Sequence, residues 1–401
     1  MSRKNRLNFI AKTGPDYVII LVVAALLLFG LMMVYSSTFA LAYELYDSPT
    51  YFLGRQALWA GLGVVAMLVL MRIDYHHWRR LSLPALGLTL FLLLAVLVIG
   101  QEVHGSRRWL LSRSIQPSEF AKLAMVLYIA HWLSSKGEKI RQVSYGLIPF
   151  AVLIGLVTGL IILEPDFGTA ILLAGTALAM FFIAGADILQ LANGFLIGGA
   201  TLYLLISHTS YAASRISTYL SDPLNDPFSR ANYHVAQTLI ALGSGGIAGL
   251  GLGASRQKLG FLPASHTDTI FAVIGEELGL LGCLVVMVLF ALLAYRGLRI
   301  TLRAPDAYGT LLAAGVTSWL TIQALVNIGV VTATLPFTGL PLPFISFGGS
   351  SLVISMAGLG ILLNISQHPS AEGEEDEALD LRRRHRRPYL SRLSRGQTTY
   401  G

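Results

Sequence analysis

Charged side chains inside long apolar runs are costly unless they are paired or used, so they mark the first places to look for chemistry. The stretch IQPSEFAKLA, residues 115–124, sets Glu119 and Lys122 three residues apart on one face of a helix that Pro117 can open. Two readings stand: a structural ion pair with Lys122 reaching for the interface, or a pair that contacts substrate. LEPDFGTA, residues 163–170, breaks two apolar runs with Glu164, Pro165 and Asp166. Asp166 there either caps the next helix or lines a catalytic cavity. In LPASHTDTIFAVIGEELG, residues 262–279, Asp268 stands just before an apolar run, as an N-cap or as a positioned base. Glu276 and Glu277 lie deeper in the same run and require a cation or a polar partner across the bundle.

Two further stretches carry backbone signals. The glycine-rich LGSGGIAGLGLGASRQKLG, residues 242–260, lacks both the G-K-[S/T] ending of a phosphate loop and G-x-G-x-x-G spacing, which excludes a nucleotide site there. Its amides, with Arg256 and Lys258, either hold an anion such as a lipid pyrophosphate or form a flexible loop. TGLPLPFISFGGSSL, residues 338–352, combines Pro341 and Pro343, just after Pro336, with Ser350 and Ser351 at the start of the last apolar run. Irregular backbone at membrane depth is tolerated only under protein or water, so this stretch is expected to line a cavity. His104, His208, His234 and His266 match no metal-ligand spacing, and the single cysteine, Cys283, permits neither a disulfide framework nor a cysteine metal site.

The elements that must position these residues are membrane spans. The 401 residues are 54% hydrophobic and only 13% charged, with a mean hydropathy of +0.64, too apolar for a water-soluble surface. Runs long enough to cross about 30 Å of hydrocarbon cover 17–35, 51–71, 83–99, 117–133, 145–163, 167–184, 188–207, 270–294, 308–331 and 350–365. The expected fold is therefore all-α, a polytopic membrane protein of about ten transmembrane helices. A cytoplasmic N-terminus (1–16) precedes a membrane domain (17–367), and a charge-segregated, disordered cytoplasmic tail (368–401) follows it. Of the 29 Lys and Arg residues, 20 fall in segments that alternate crossings place on one face, with both termini, and the positive-inside rule makes that face cytoplasmic. The other cations, Arg55, Arg107, Arg108, Arg113, Lys122, Arg215, Arg230, Arg256 and Lys258, are outward and concentrate in two loops, 104–114 and 208–267. That concentration predicts an anionic partner outside, while the basic residues as a whole fall between apolar runs instead of forming one stripe, which argues against nucleic acid. The large extracytoplasmic loop 208–267, between helices 7 and 8, carries amphipathic spacing at 233–242 and is expected to lie on the membrane surface.

The ordered motifs GSRRW…IQPSEFAKLA, EPDFGTA, QKLGFLPASHTDTIFAVIGEELG and GLPLPFISFGGSSL resemble the SEDS family (shape, elongation, division and sporulation), over residues 15–368. The wording HTDTIFAVIGEELG is closer to the family's division member than to its elongation member. The resemblance implies a peptidoglycan glycosyltransferase that polymerises lipid II on the outer face of the bacterial inner membrane, at the division septum. It implies that Asp268 is the catalytic residue and that Trp109, Glu119, Lys122 and Asp166 belong to the active cavity. It further implies a divalent cation (magnesium or manganese), an undecaprenyl-linked glycan strand, surrounding membrane lipids, and a class B penicillin-binding protein transpeptidase among other division or elongation proteins. Ala264 departs from the family pattern, since many relatives carry Glu there. On this reading Asp268 deprotonates a sugar hydroxyl while Arg107, Arg108, Arg256 and Lys122 neutralise pyrophosphate. A lipid II flippase or transporter, and a non-catalytic division scaffold, are the competing readings, because intramembrane charges and broken helices also mark translocation paths.

Overall fold

Among the described residues, six helices are long and apolar enough to cross a membrane by length and composition, and three shorter apolar stretches of helix accompany them. The structure, a computed structural model, describes residues 14–103, 106–110, 116–208, 219 and 232–368. Among them α1 spans Tyr17–Tyr46, α2 Tyr51–Arg72, α3 His76–Ile99, α4 Pro117–Lys136, α5 Leu147–Leu163, α6 Phe167–Ile183 and α7 Ile188–His208. Then follow α8 Tyr233–Ser244, α9 Ile270–Arg303, α10 Ala307–Val331 and α11 Gly349–Ser366, with a 3-10 helix, Gly137–Arg141, joining α4 to α5. Each apolar run read from the sequence falls on one of these helices. The tail beyond residue 368, the first 13 residues, and Arg113, Arg215 and Arg230 lie outside the described residues.

The bundle is built around α11 and α10, the most buried of the long apolar helices, with α2 packed most extensively on α11 and α9, α4 and α6 on α10. The outer helices keep apolar side chains on the surface, with Phe91 66% and Val98 77% exposed, an arrangement that water would not tolerate over such an area and lipid does. The chain is thus a helical, multi-pass membrane protein.

Three elements differ from the sequence expectation, each for a local reason. α1 continues eleven residues past Tyr35, because the polar residues that follow are satisfied inside the helix. Ser37 and Thr38 donate to Val34 O at 3.2 and 2.6 Å, and Ser36 donates to Glu277. α3 begins at His76, since Asp74 accepts from the His76 amide at 2.9 Å and stops the chain continuing from α2. The fold is also not purely helical. Gln101–Val103 and Ser106–Trp109 pair as a two-stranded antiparallel ribbon between α3 and α4. The amphipathic spacing at 233–242 does form a helix, α8, whose face carrying Ala236, Gln237, Thr238 and Ala241 is buried and which packs on α9.

α9 is broken at Gly279, whose φ of 66° takes the chain out of the helix. The glycine-rich stretch repairs the break. Leu250 N donates to Glu276 O (3.0 Å) and Gly251 N to Glu277 O (2.9 Å), while Leu280 N and Leu281 N donate to Gly246 O and Ile247 O (3.0 and 3.2 Å). Backbone groups orphaned by the kink are therefore paired, as apolar surroundings demand. Within this stretch the amides at 250 and 251 are thus spent on splicing a helix.

Candidate active site

Asp268 sits in the turn before α9. Thr269 takes the N-cap position without a side-chain cap bond, so Asp268 does not cap the helix. Its Oδ1 accepts from Thr267 Oγ1 at 2.8 Å, its main-chain carbonyl accepts from Asn327 Nδ2 at 2.8 Å, and the residue is half-buried. Among the described residues no donor reaches Oδ2, which faces Gly339. Gly339 has φ 75°, a conformation that favours glycine. Beside Asp268, the imidazole of His266 lies between Phe52 and Phe347, at 5.4 and 5.6 Å between ring centroids. Burial holds His266 below its usual pKa, an effect the Asp268 charge partly offsets, so the ring is neutral near pH 7.

The irregular segment 336–347 forms the floor. Ser346 Oγ donates to Thr267 O (2.5 Å), Phe347 N to His266 O (2.8 Å), and Leu342 N to Ser346 Oγ (2.8 Å). Gln56 of α2 clamps the other side, donating to Ser346 O (3.1 Å) and accepting from Gly348 N (3.3 Å). α10 supports the segment from below through a polar stripe at helical spacing, Trp319, Gln323 and Asn327. Asn327 Nδ2 also donates to Leu340 O (2.7 Å), and Gln323 Nε2 donates to Pro341 O (2.8 Å). Gln323 and Asn327 were missed by the sequence reading, although two amides four residues apart in an apolar helix are a readable signal.

Glu119 and Lys122 form a 2.6 Å ion pair with side chains 3% and 0% exposed. Lys122 Nζ also donates to Gln323 Oε1 (3.1 Å) and lies 5.5 Å from the Trp319 ring centroid. The pair is thus buried and coupled to the floor through Gln323. Lys258 is likewise placed away from any anion-facing surface. It pairs with Glu277 at 2.6 Å, donates to Ser36 Oγ (3.1 Å), and is buried. Glu276 holds the same segment by accepting from Ser255 Oγ (2.5 Å) and Arg256 N (2.9 Å), so both deep carboxylates have partners. That leaves the Arg256 side chain exposed.

Asp166 caps α6, accepting from Thr169 N (3.2 Å) and Thr169 Oγ1 (2.9 Å), and it binds α4 by accepting from Gln116 Nε2 (3.2 Å) and Ser118 Oγ (3.3 Å). Just before it, Glu164 is fully buried with neither carboxylate oxygen hydrogen-bonded. Burial, reinforced by the Asp166 charge, pushes its pKa up to about 9. Arg108 on the ribbon straps the turn by donating to the carbonyls of Glu164 and Pro165. Trp109 follows it, half-buried, while the Arg107 side chain lies outside the described residues. Gly168 of α6 abuts Thr338, which brings the α6 start against the floor. Ser350, buried, and Ser351, half-buried, open α11 just after the floor, and no described hydrogen bond joins either to Asp268.

The motifs therefore converge at one end of the bundle around segment 336–347, and the sequence as a whole matches a known family over the same ground. The cell cycle protein family model of FtsW, RodA and SpoVE matches residues 16–371.

The chain belongs to the FtsW/RodA/SpoVE family.

Among the members of that family it is 42% identical to stage V sporulation protein E of Bacillus subtilis, across 89% of this chain and 98% of that protein. It is also 42% identical to a probable peptidoglycan glycosyltransferase FtsW of Geobacter metallireducens, across 91% and 98%. Solved structures agree. The rod shape determining protein RodA of Thermus thermophilus superposes with a TM-score of 0.65 at 29% identity, covering 90% of this chain and 98% of that one. A chain from a peptidoglycan synthase complex, in a study of how polymerisation and crosslinking are coordinated, gives 0.71 at 29%, covering 88% and 98%.

Proposed function

We propose that this FtsW/RodA/SpoVE-family chain is a peptidoglycan glycosyltransferase that polymerises lipid II. The single observation that carries the mechanism is Asp268, a half-buried carboxylate fixed through Oδ1 and its main chain but open at Oδ2. In the reaction, the 4-hydroxyl of one saccharide attacks the anomeric carbon of another, and Oδ2 takes the hydroxyl proton. The bond from that carbon to phosphate breaks, and undecaprenyl pyrophosphate leaves with the electron pair. Fixing one oxygen while leaving the other open holds the base in a single geometry, which is where its rate advantage arises. The exposed Arg256 side chain and the Arg108 strap are the cations assigned to the pyrophosphate.

No cluster of three or more His, Cys, Asp or Glu side chains that could cage a metal occurs among the described residues. The described residues offer a divalent cation no cage of their own, so magnesium or manganese would be held by substrate phosphates and water and would supply charge neutralisation for the pyrophosphate, leaving the open oxygen of Asp268 to the proton.

The proposal extends to the membrane. About ten helices cross it, α1 to α7 and α9 to α11, with both termini cytoplasmic and the Asp268 end outside. The alternation of basic segments supports this orientation, and the α1–α2, α5–α6 and 255–269 segments do share one end of the bundle. A class B penicillin-binding protein transpeptidase is the proposed partner, supported by the likeness to a chain of a peptidoglycan synthase complex. The septum is the proposed site of work, since several relatives are named FtsW. Purified chain in detergent, given lipid II, is expected to yield glycan strands. Lipid II recovered at unchanged chain length, beside an active control polymerase, would instead support a flippase.

A further inference from the structure

Five aromatic rings run in unbroken contact from the turn that holds Asp268 to the α1–α2 corner. His266 and Phe347 lie 5.6 Å apart and each lies within 5.5 Å of Phe52; Phe52 meets Tyr51 at 5.5 Å, and Tyr51 stacks on Tyr46 at 3.7 Å. Exposure rises along the path, from half-buried His266 to Tyr46, which is 48% exposed. Around the outer rings the surface is polar. Asp47, Thr50 and Arg55 are exposed, Ser48 stands 3.5 Å from Thr50 through their hydroxyls, and the Arg55 guanidinium lies 6.0 Å from the Tyr51 ring centroid.

A belt of interfacial tyrosines offers single rings to lipid headgroups and has no reason to connect with a reaction centre. Nor does apolar packing explain it, since aliphatic side chains fill a helix corner at lower cost than rings left half in water. A continuous aromatic path edged by a carboxylate, hydroxyls and a guanidinium suits a polysaccharide. Pyranose rings present apolar C–H faces that lie on aromatic rings, while their equatorial hydroxyls and amides bond to polar groups at the edges. Arg55 further suits the peptide carboxylates that hang from such a strand.

We propose that Phe52, Tyr51 and Tyr46, with His266 and Phe347 at the inner end, form the track along which the amino-sugar strand lies next to Asp268. The track rests on the polymerase reading above and adds to it where the saccharide goes. It is tested on the full chain in detergent with two readouts, the length of strands made from lipid II and the affinity for a short lipid-free oligosaccharide of alternating N-acetylglucosamine and N-acetylmuramic acid. Tyr46→Ala combined with Tyr51→Ala is expected to weaken oligosaccharide binding about tenfold, equivalent to about 1.4 kcal/mol, and to shorten the strands. Tyr46→Phe with Tyr51→Phe keeps the ring faces and is expected to restore most of the binding and strand length lost in the double alanine variant. Tyr295→Ala removes an exposed ring from the far half of α9 and is expected to change neither readout.

Strands of wild-type length together with unchanged oligosaccharide affinity in the double alanine variant overturn the track. So does a variant whose one defect is weaker partitioning into phosphatidylethanolamine–phosphatidylglycerol vesicles, which makes the rings a membrane belt. Oligosaccharide binding that depends on Tyr46 and Tyr51, in a wild-type chain that makes no polymer, keeps the track and removes the polymerase reading. Absence of both binding and polymer removes both.

Discussion

Asn327 donates one amide to two main-chain carbonyls, those of Asp268 and Leu340, and so ties the reactive turn to the floor of the site. Truncation to alanine strands two carbonyls in a region where the Asn327 side chain is almost fully buried, a cost of about 1–3 kcal/mol for each. Asn327→Ala is therefore expected to lower the melting temperature and, by loosening Asp268, to reduce strand synthesis on the order of 10–100-fold. Asn327→Ala with full activity would show that the amide does not position the base. Glu164 makes a prediction of a different kind. Burial raises its pKa to about 9 from the ordinary carboxylate value of 4.5, so the folded chain holds a proton that the unfolded chain releases between those values. Stability attributable to Glu164 is thus complete below about pH 4.5 and is lost as pH rises towards 9. Glu164→Gln is expected to leave the melting temperature in detergent unchanged near pH 5 and to raise it above wild type near pH 8. Parallel melting curves for the two proteins across that range would contradict the assignment.

At the scale of elements, the chain relies on repairs between segments far apart in sequence. Gly279 carries the α9 kink, and an added Cβ would run into Ile247 O and Gly249 N of the splicing stretch. Gly279→Ala is expected to cost about 1–3 kcal/mol from backbone conformation alone, and to appear as poor yield and a lower melting temperature. The α4–α10 contact behaves differently. Lys122→Met leaves Glu119 as an unpaired buried charge and is expected to cost about 3–5 kcal/mol. Glu119→Gln with Lys122→Met removes both charges and should recover much of the loss. If the double variant melts like wild type yet makes no glycan, the pair contacts substrate as well as holding helices.

These elements also show what could be read in advance. Glu119, Lys122, Asp166 and Asp268 stood out because a charge in an apolar run is expensive and therefore informative. Gln323 and Asn327 left a weaker signal, because a neutral amide costs less than a charge and its partners, the carbonyls of 340 and 341, are recognisable only once α10 faces the floor. The splice at 246–251 left no pattern, since its partners lie some thirty residues downstream. Lys258 looked like a free outward cation because its distance from Glu277 in sequence hid a 2.6 Å contact. The ribbon at 101–109 was too short for strand periodicity to register.

Across the whole molecule the polar ends of the bundle divide cleanly. One end gathers Asp268, segment 336–347 and the ribbon. The other is tied by Asp16, which caps α1 and pairs with Arg296 at 2.6 Å, and by His76, which bridges Asp74 and Asp306 at 2.7 and 2.8 Å. If the first end is outside, single cysteines introduced at Asp47 and at Ala304 in a Cys283→Ser background should react oppositely with an impermeant maleimide on intact cells. Labelling at 47 and protection at 304 is the expected result, and the reverse pattern would invert the molecule. The central claim is narrower, that one open carboxylate oxygen removes the proton during strand growth. Its most direct test is polymerisation of lipid II by purified Asp268→Asn, a near-isosteric change that keeps the turn but removes the base. Retained folding and lipid II binding with no glycan formed is the expected result. Strand synthesis at the wild-type rate would contradict it.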